Sequence, residues 1–385
     1  MDFKIPLFKS YWDKNDINAI KSVIKRGTYW ATGPEIQEFE KKIAEFVGKK
    51  YCVSFNSGTS ALHTVLLAYN ITSGQVIVPS FTFISTANAV LLAGATPVFA
   101  ETEGQTYGLD VESVKQKITD KTKAIIPLHY GGLPSRDIKK LKELADENDI
   151  LLIEDAAESL GSKMNNEMTG ISGDAAMFSF CQNKVITTGE GGVIVTDSKK
   201  VYEKMKLIRS HGRVESKNKN YFSTTKEMDY IEIGYNFRMP TMNAALGLSQ
   251  LKKIDKIIDM RREKAKTYHK ALKDISEIKL PIELKNQKHV YQMYTIQLEN
   301  KKIRDNLQNY LTKKGIMTKV YFYPIHLKSY YKNKFGYNKG NLPKTEELSE
   351  KVLTLPMYPT LKKSKQEYIT KNIIMLFKKS KKTGV

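Results

Sequence analysis

Between residues 51 and 197, short apolar runs alternate with stretches of helical periodicity. The runs YCVSF (51–55), QVIVPS (75–80), TPVFA (96–100), KAIIPLH (123–129), DILLIED (149–155), AAMFSF (175–180) and GGVIVTD (191–197) predict strands. Helices are predicted at 58–69, 83–93, 110–118 and 136–148, with two more ahead of the first strand, at 14–26 and through EIQEFEKKIAEFVG. The earlier strands carry too few polar residues to face water on one side. A largely parallel sheet covered on both faces is therefore expected, in an α/β fold.

From Asn243 the pattern changes. NAALGLSQLKKIDKIIDMRREKAKTYHKAL reads as helix, QMYTIQL and MTKVYFYP read as strand-like runs, and a last helix is predicted near 364–379. The expected organisation is a large domain over 1–250 and a smaller α+β domain over 251–385, joined through a long helix. There are no internal repeats and no low-complexity linker between the two parts.

Composition changes this picture little. A chain of 385 residues, 41% hydrophobic, can bury a large core. No apolar run reaches the roughly 18 residues of a membrane span, and MDFKIPLFKSYW has no apolar stretch after its first basic residue. The two cysteines, Cys52 and Cys181, are too few for a disulfide framework or a zinc site, so no metal is expected and a reducing, cytoplasmic setting is. The formal net charge of +21 invites a nucleic-acid reading. The lysines, however, are spread among acids along helical stretches and in the terminal KKSKKTGV, with no nucleic-acid-binding motif, so a solvated surface is the expectation. Positive potential also attracts small anions such as a diphosphate.

Candidate chemistry sits just past the strand ends, where open α/β sheets bind ligands. In VSFNSGTSAL a strand turns into a helix, and the amides near Gly58, Thr59 and Ser60 form either a phosphate cradle or a plain helix cap. LLIEDAAESLG puts Glu154 and Asp155 at the end of a very apolar strand. Asp155 could hold a protonated heterocyclic nitrogen or cap the next helix. In SFCQNKVITTGEGG, Lys184 stands between a strand and Gly189, Gly191 and Gly192, where a partly desolvated lysine can form a Schiff base. Phosphate cradle, nitrogen partner and Schiff-base lysine, in that chain order, are what pyridoxal 5'-phosphate requires.

Seven motifs, WATGPEIQEFE (30–40), NSGTSAL (56–62), VPSFTFISTANAV (78–90), IEDAAESLG (153–161), FSFCQNKVITTGEGG (178–192), GYNFRMPTMNAALGLSQL (234–251) and FYPIH (322–326), closely resemble the DegT/DnrJ/EryC1/StrS sugar-nucleotide aminotransferases. The resemblance runs over nearly the whole chain. It implies the aspartate-aminotransferase fold (fold type I), with a seven-stranded, mostly parallel sheet, and pyridoxal phosphate as cofactor. It makes Lys184 the Schiff-base lysine and Asp155 the partner of the pyridine nitrogen. It also implies that Phe83 stacks on the ring, that Gly58, Thr59 and Ser179 bind phosphate, and that Glu158 lies near the cofactor. Asn236 matches an asparagine that reaches the neighbouring subunit's phosphate, which implies a homodimer with composite sites. His326 matches a residue lining the sugar pocket, and Arg213, in the stretch 210–230, is a candidate for the substrate diphosphate. The Cys-Gln-Asn before Lys184 is not diagnostic, and Cys181 is read as packing.

The implied reaction is a ping-pong transamination with glutamate as donor. The acceptor is a nucleotide-linked keto-deoxysugar, with GDP-4-keto-6-deoxymannose giving GDP-perosamine as the leading case. UDP- or dTDP-linked 3- or 4-keto sugars are the alternative. Relatives in which histidine replaces the lysine carry out a dehydration, and retention of Lys184 points to transamination. The rival from another class is a basic binding protein on the same scaffold without catalysis.

Overall fold

Strand β1 (Tyr51–Phe55) begins the sheet predicted from the apolar runs, followed by β2 (Gln75–Pro79), β3 (Thr96–Ala100), β4 (Thr122–Ile125) and β5 (Leu151–Asp155). Two short strands, β6 (Lys163–Met164) and β7 (Glu167–Met168), precede β8 (Ala175–Ser179) and β9 (Gly192–Thr196). This computed structural model describes residues 3–214, 224–225 and 227–383. The seven long strands form one sheet in the order β1-β9-β8-β5-β4-β2-β3. The five strands from β8 to β3 are parallel, whereas β9 runs antiparallel to both β8 and β1. The reversal follows from the short glycine-bearing return between Ser179 and Gly192, which has no crossover helix.

Alternation along the strands divides the core between two faces. Val76 and Val78 join Phe55, Ile153 and Met177 in a cluster with the helix Gly58–Ala68, while Ile77 joins Ile125 and Leu152 beneath the helix Ile138–Glu147. Phe178, Val193 and Val195 pack on the helix Pro34–Val47. The helix Gly58–Ala68 is apolar almost all round and accordingly nearly enclosed.

The predicted long helix at the junction is two helices, Thr241–Leu251 and Ile254–Leu272, with a break at Lys252–Lys253. Lys253 at the break binds Asp13 and Asp16 at 2.7 and 2.9 Å, tying it to the N-terminal helix Lys14–Arg26. Beyond it come the short strands β10 (Ile278–Lys279) and β11 (Gln287–Lys288), then β12 (Tyr294–Leu298) and β13 (Val352–Leu355). Strands β10, β12 and β13 make a three-stranded antiparallel sheet packed on the helices Lys301–Lys313 and Lys363–Thr383. The strand predicted over MTKVYFYP does not form. That stretch makes one bridge, Lys319 with Thr354, and then turns into a short 3-10 segment at Ile325–Leu327. Among the described residues no helix is long and apolar enough to cross a membrane.

The edge strand β1 is fixed by a buried ion pair. Glu40 Oε1 accepts from Arg209 Nη1 at 2.5 Å and from the Ser54 amide at 2.8 Å, and Arg209 also donates to the Ser54 carbonyl. Removing one partner leaves a buried charge alone, which costs about 3–5 kcal/mol. Arg209→Met is expected to lower stability by about that amount in urea unfolding, and the double variant Glu40→Gln/Arg209→Met to recover most of it.

Candidate active site

Strand β5 ends in two acids, and the pleat sends them to opposite faces. Glu154 is structural. It accepts from the amides of Gly170 and Gly173 and from His129 Nε2 at 2.7 Å. His129 Nδ1 takes the Ser135 amide, so Nε2 carries the proton. Burial raises the Glu154 carboxyl, but His129 and the two amides outweigh it and hold the group below its ordinary value.

Asp155 faces the other way and is buried, and among the described residues only neutral donors meet it directly: Thr86 Oγ1 at 2.7 Å and the Ala157 amide at 3.2 Å. Burial pushes its carboxyl above the usual value, against the pull of Thr86, Ala157 and the nearby Lys184 ammonium. A carboxylate in this condition is stabilised by any cationic N–H that enters beside it.

Lys184 reaches the same place from β8. Its amide closes a turn on the Cys181 carbonyl at 3.0 Å, and its side chain, 13% exposed, brings Nζ to 3.4 Å from Glu158 Oε1. Glu158 Oε2 accepts from the Gly131 amide at 2.8 Å. The lysine is not on a solvated surface. Cys181, just before it, is half-buried and donates from Sγ to Glu190.

The glycines explain how the lysine loop meets the helix start. A Cβ on Gly192 would lie 2.6 Å from both the Gly58 amide nitrogen and the Ser57 carbonyl oxygen, so only glycine permits that approach. A Cβ on Gly58 would meet Met177 Sδ at 3.1 Å and the Ser179 side chain at 3.3 Å. Gly58, Thr59 and Ser179 are thereby brought together at a helix N-terminus, where the first amides have no intrahelical acceptor. Ser57 caps the same helix through the Ser60 amide.

The other predicted residues divide. Phe83 is 60% exposed, its ring 6.5 Å from that of Phe322, so it is not core; it lies three residues before Thr86, the threonine holding Asp155. Asn236 is exposed, and its carbonyl accepts from Asn56 of its own chain at 3.4 Å. Arg213 is buried and pairs through its backbone with Tyr230; residues 215–223 and 226 of the stretch expected to shape the acceptor pocket lie outside the described residues.

His326 is wholly buried and both ring nitrogens are engaged, Nδ1 by the Ser80 hydroxyl at 2.7 Å and Nε2 by Glu346 at 3.1 Å. It clamps the end of β2 to the helix Pro343–Lys351. Sequence reading passed over Thr86 and Gly131, although Thr86 lies inside one of the quoted motifs. A groove of about 520 Å³ lies elsewhere, lined by Glu40, Tyr51, Tyr202 and Arg209. It holds none of Lys184, Asp155 and Glu158, and the chemistry rather than the volume marks the site.

The family model described as the DegT/DnrJ/EryC1/StrS aminotransferase family matches residues 10–374. The chain belongs to this family. It is 37% identical to the GDP-perosamine synthase of Escherichia coli O157:H7 over 89% of this chain and 90% of that one. Among solved structures, Helicobacter pylori PseC, an aminotransferase of pseudaminic acid biosynthesis, aligns with a TM-score of 0.90 at 30% identity over 97% of this chain and 99% of that one. The putative sugar aminotransferase Spr1654 from Streptococcus pneumoniae, in its PLP form, aligns with a TM-score of 0.90 at 26% identity over 97% and 99% of the two chains.

This DegT/DnrJ/EryC1/StrS protein is thus a sugar aminotransferase with the type I fold, and the cofactor of such enzymes is pyridoxal phosphate. Its residues fit that cofactor. There is an amide cradle that a Cβ would fill, a buried carboxylate lacking a direct cationic partner, and an amine enclosed beside it.

The raised Asp155 carboxyl sets a pH dependence in the cofactor-free protein. Because the folded value lies above the unfolded one, the ionised group opposes folding once pH passes the folded value, and the penalty is absent below the unfolded one. Asp155→Asn should therefore melt higher than the wild type at pH 7, by roughly 1–3 °C, and the gap should close as the pH falls toward 3.5. Cofactor affinity should fall in the same variant.

Proposed function

We propose that Lys184 is the residue that joins the cofactor and moves the proton, and that the acceptor is a nucleotide-linked keto-deoxysugar, GDP-4-keto-6-deoxymannose foremost. The observation that carries this reading is the enclosed Lys184 amine beside Glu158 and near the buried Asp155. Pyridoxal phosphate supplies an electron sink that lets an amino group leave one carbon and join another. Gly58, Thr59 and Ser179 would hold its phosphate, Asp155 would meet the ring nitrogen, and the open ring of Phe83 would pack on the cofactor. Lys184 Nζ would take up and return the proton of the reacting carbon as general base and acid. Glu158, fixed by the Gly131 amide, holds that amine in place whenever it is free of the cofactor.

Glutamate is the proposed donor. The GDP assignment is supported by the identity to the E. coli GDP-perosamine synthase and by the motifs EDAAE, GYNFRM and FYPIH. UDP- and dTDP-linked keto sugars form the second reading, favoured by the structural similarity to PseC. The enzyme works as a homodimer. Asn236 is exposed on a segment whose Ile231 and Ile233 stand 61% and 85% exposed, which supports its reaching a second copy's phosphate site, with Arg213 serving the substrate diphosphate. Two free cysteines support a reducing, cytoplasmic setting.

Borohydride reduction of the cofactor-loaded protein followed by peptide mass analysis should place the cofactor on Lys184, and Lys184→Ala should lower transamination by about 10²–10⁴-fold. A panel of GDP-, UDP- and dTDP-linked 4-keto sugars with glutamate should give product with the GDP sugar. Product with another nucleotide alone would overturn the GDP assignment, and turnover only with free 2-oxo acids would overturn the sugar acceptor altogether.

A further inference from the structure

The stretch Val290–Met293 bonds to the surroundings of Lys184 from two directions. The Val290 and Met293 amides donate to the carbonyls of Gly132 and Gly131 at 3.1 and 3.0 Å. The Gly131 amide in turn holds Glu158, which holds the Lys184 ammonium. From the other side the buried Gln292 donates from Nε2 to the Asn183 carbonyl at 2.5 Å, on the residue immediately before Lys184. One short segment of the C-terminal part therefore fixes both the backbone and the tip of the lysine.

That segment is itself held by an unusual group. Arg261 is buried, has no acidic partner among the described residues, and aims Nη1 at the carbonyls of Tyr291, Gln292 and Met357 at 3.2, 3.4 and 3.5 Å. Burial lowers its pKa only to about 10, so it stays cationic at neutral pH. A buried cation spent on three carbonyls fixes the peptides on either side of Gln292.

Resting on the reading of Lys184 given above, we infer that Gln292 is a positioning residue for Lys184, setting the amine through the Asn183 carbonyl. Packing alone does not account for a glutamine here. Its Oε1 is buried with no hydrogen-bond partner, and such a group costs stability that an apolar side chain of the same length would not. A purely structural role thus predicts that Gln292→Met is neutral or stabilising and leaves Lys184 unchanged. A positioning role predicts an intact fold with an altered lysine.

The test compares wild type, Gln292→Met and Gln292→Glu. In cofactor-free protein, amidination of Lys184 relative to the exposed Lys41 is followed by mass spectrometry, and it should rise about threefold or more in Gln292→Met as the amine leaves Glu158. In loaded protein, the half-reaction with glutamate should slow about tenfold in kcat, with KM within about twofold, because a small misplacement of a reacting group is costly while donor binding is untouched. Gln292→Glu lacks the donor at neutral pH, and it should match Gln292→Met at pH 8 and recover toward wild type near pH 5, where its carboxyl can donate. It also serves if the methionine variant fails to fold. Labelling and kcat within about twofold of wild type in whichever variant folds would overturn the proposal. Reduction that places the cofactor on another lysine in the wild type would instead overturn the assignment of Lys184, so the two failures are distinct.

Discussion

Three ionisable side chains held together out of bulk water set the terms for the rest of this molecule. Lys184 and Glu158 form an enclosed pair, and Asp155 adds a second carboxylate met directly only by a hydroxyl and an amide. Desolvating charge is expensive unless partners are close and well aimed, and here the trio carries one negative charge more than it can match. In the proposed binding mode a protonated pyridine nitrogen would supply the missing positive charge, and the cofactor's phosphate would fall to a helix N-terminus.

Holding that trio requires backbone approaches that side chains would block. Gly192 sets the lysine loop against Ser57 and Gly58, so the helix start and the lysine loop share one contact. The Glu40–Arg209 pair then pins β1, the strand that delivers Asn56 and Ser57 to that contact. The reversed direction of β9 belongs to the same arrangement, because a direct return from Ser179 to Gly192 keeps Lys184 over the sheet's carboxyl edge.

How much of this was legible follows from what each feature depends on. Strands such as Gln75–Pro79 and Leu151–Asp155 are buried on both faces, so their apolar runs were readable from local composition. Lys184, Asp155 and Gly58 stood out as candidates because each sits at or just past a strand end. Features set by distant partners were not. The break at Lys252–Lys253 coincides with a lysine bound by Asp13 and Asp16, more than 230 residues away, and helical periodicity carries no sign of it. The run 317–324 has strand composition but finds only one ladder partner. His326 is bonded through both nitrogens to Ser80 and Glu346, and nothing in FYPIH announces either partner. Gln292 stands alone in an apolar run, and its role depends on a carbonyl 109 residues earlier.

The two ends of the site differ in kind, and that difference explains why the reaction class reads more clearly than the acceptor. The cofactor end is built from strand termini, a helix start and glycine contacts, all inside one rigid sheet, where fixed charges must match a fixed molecule. The acceptor end, as proposed, would draw on Arg213 and Asn236, and the described residues Ile231 and Ile233 near Asn236 are exposed. Loop and subunit contacts of that kind can change without disturbing a rigid sheet, so one scaffold can keep its reaction class while the substrate it serves changes.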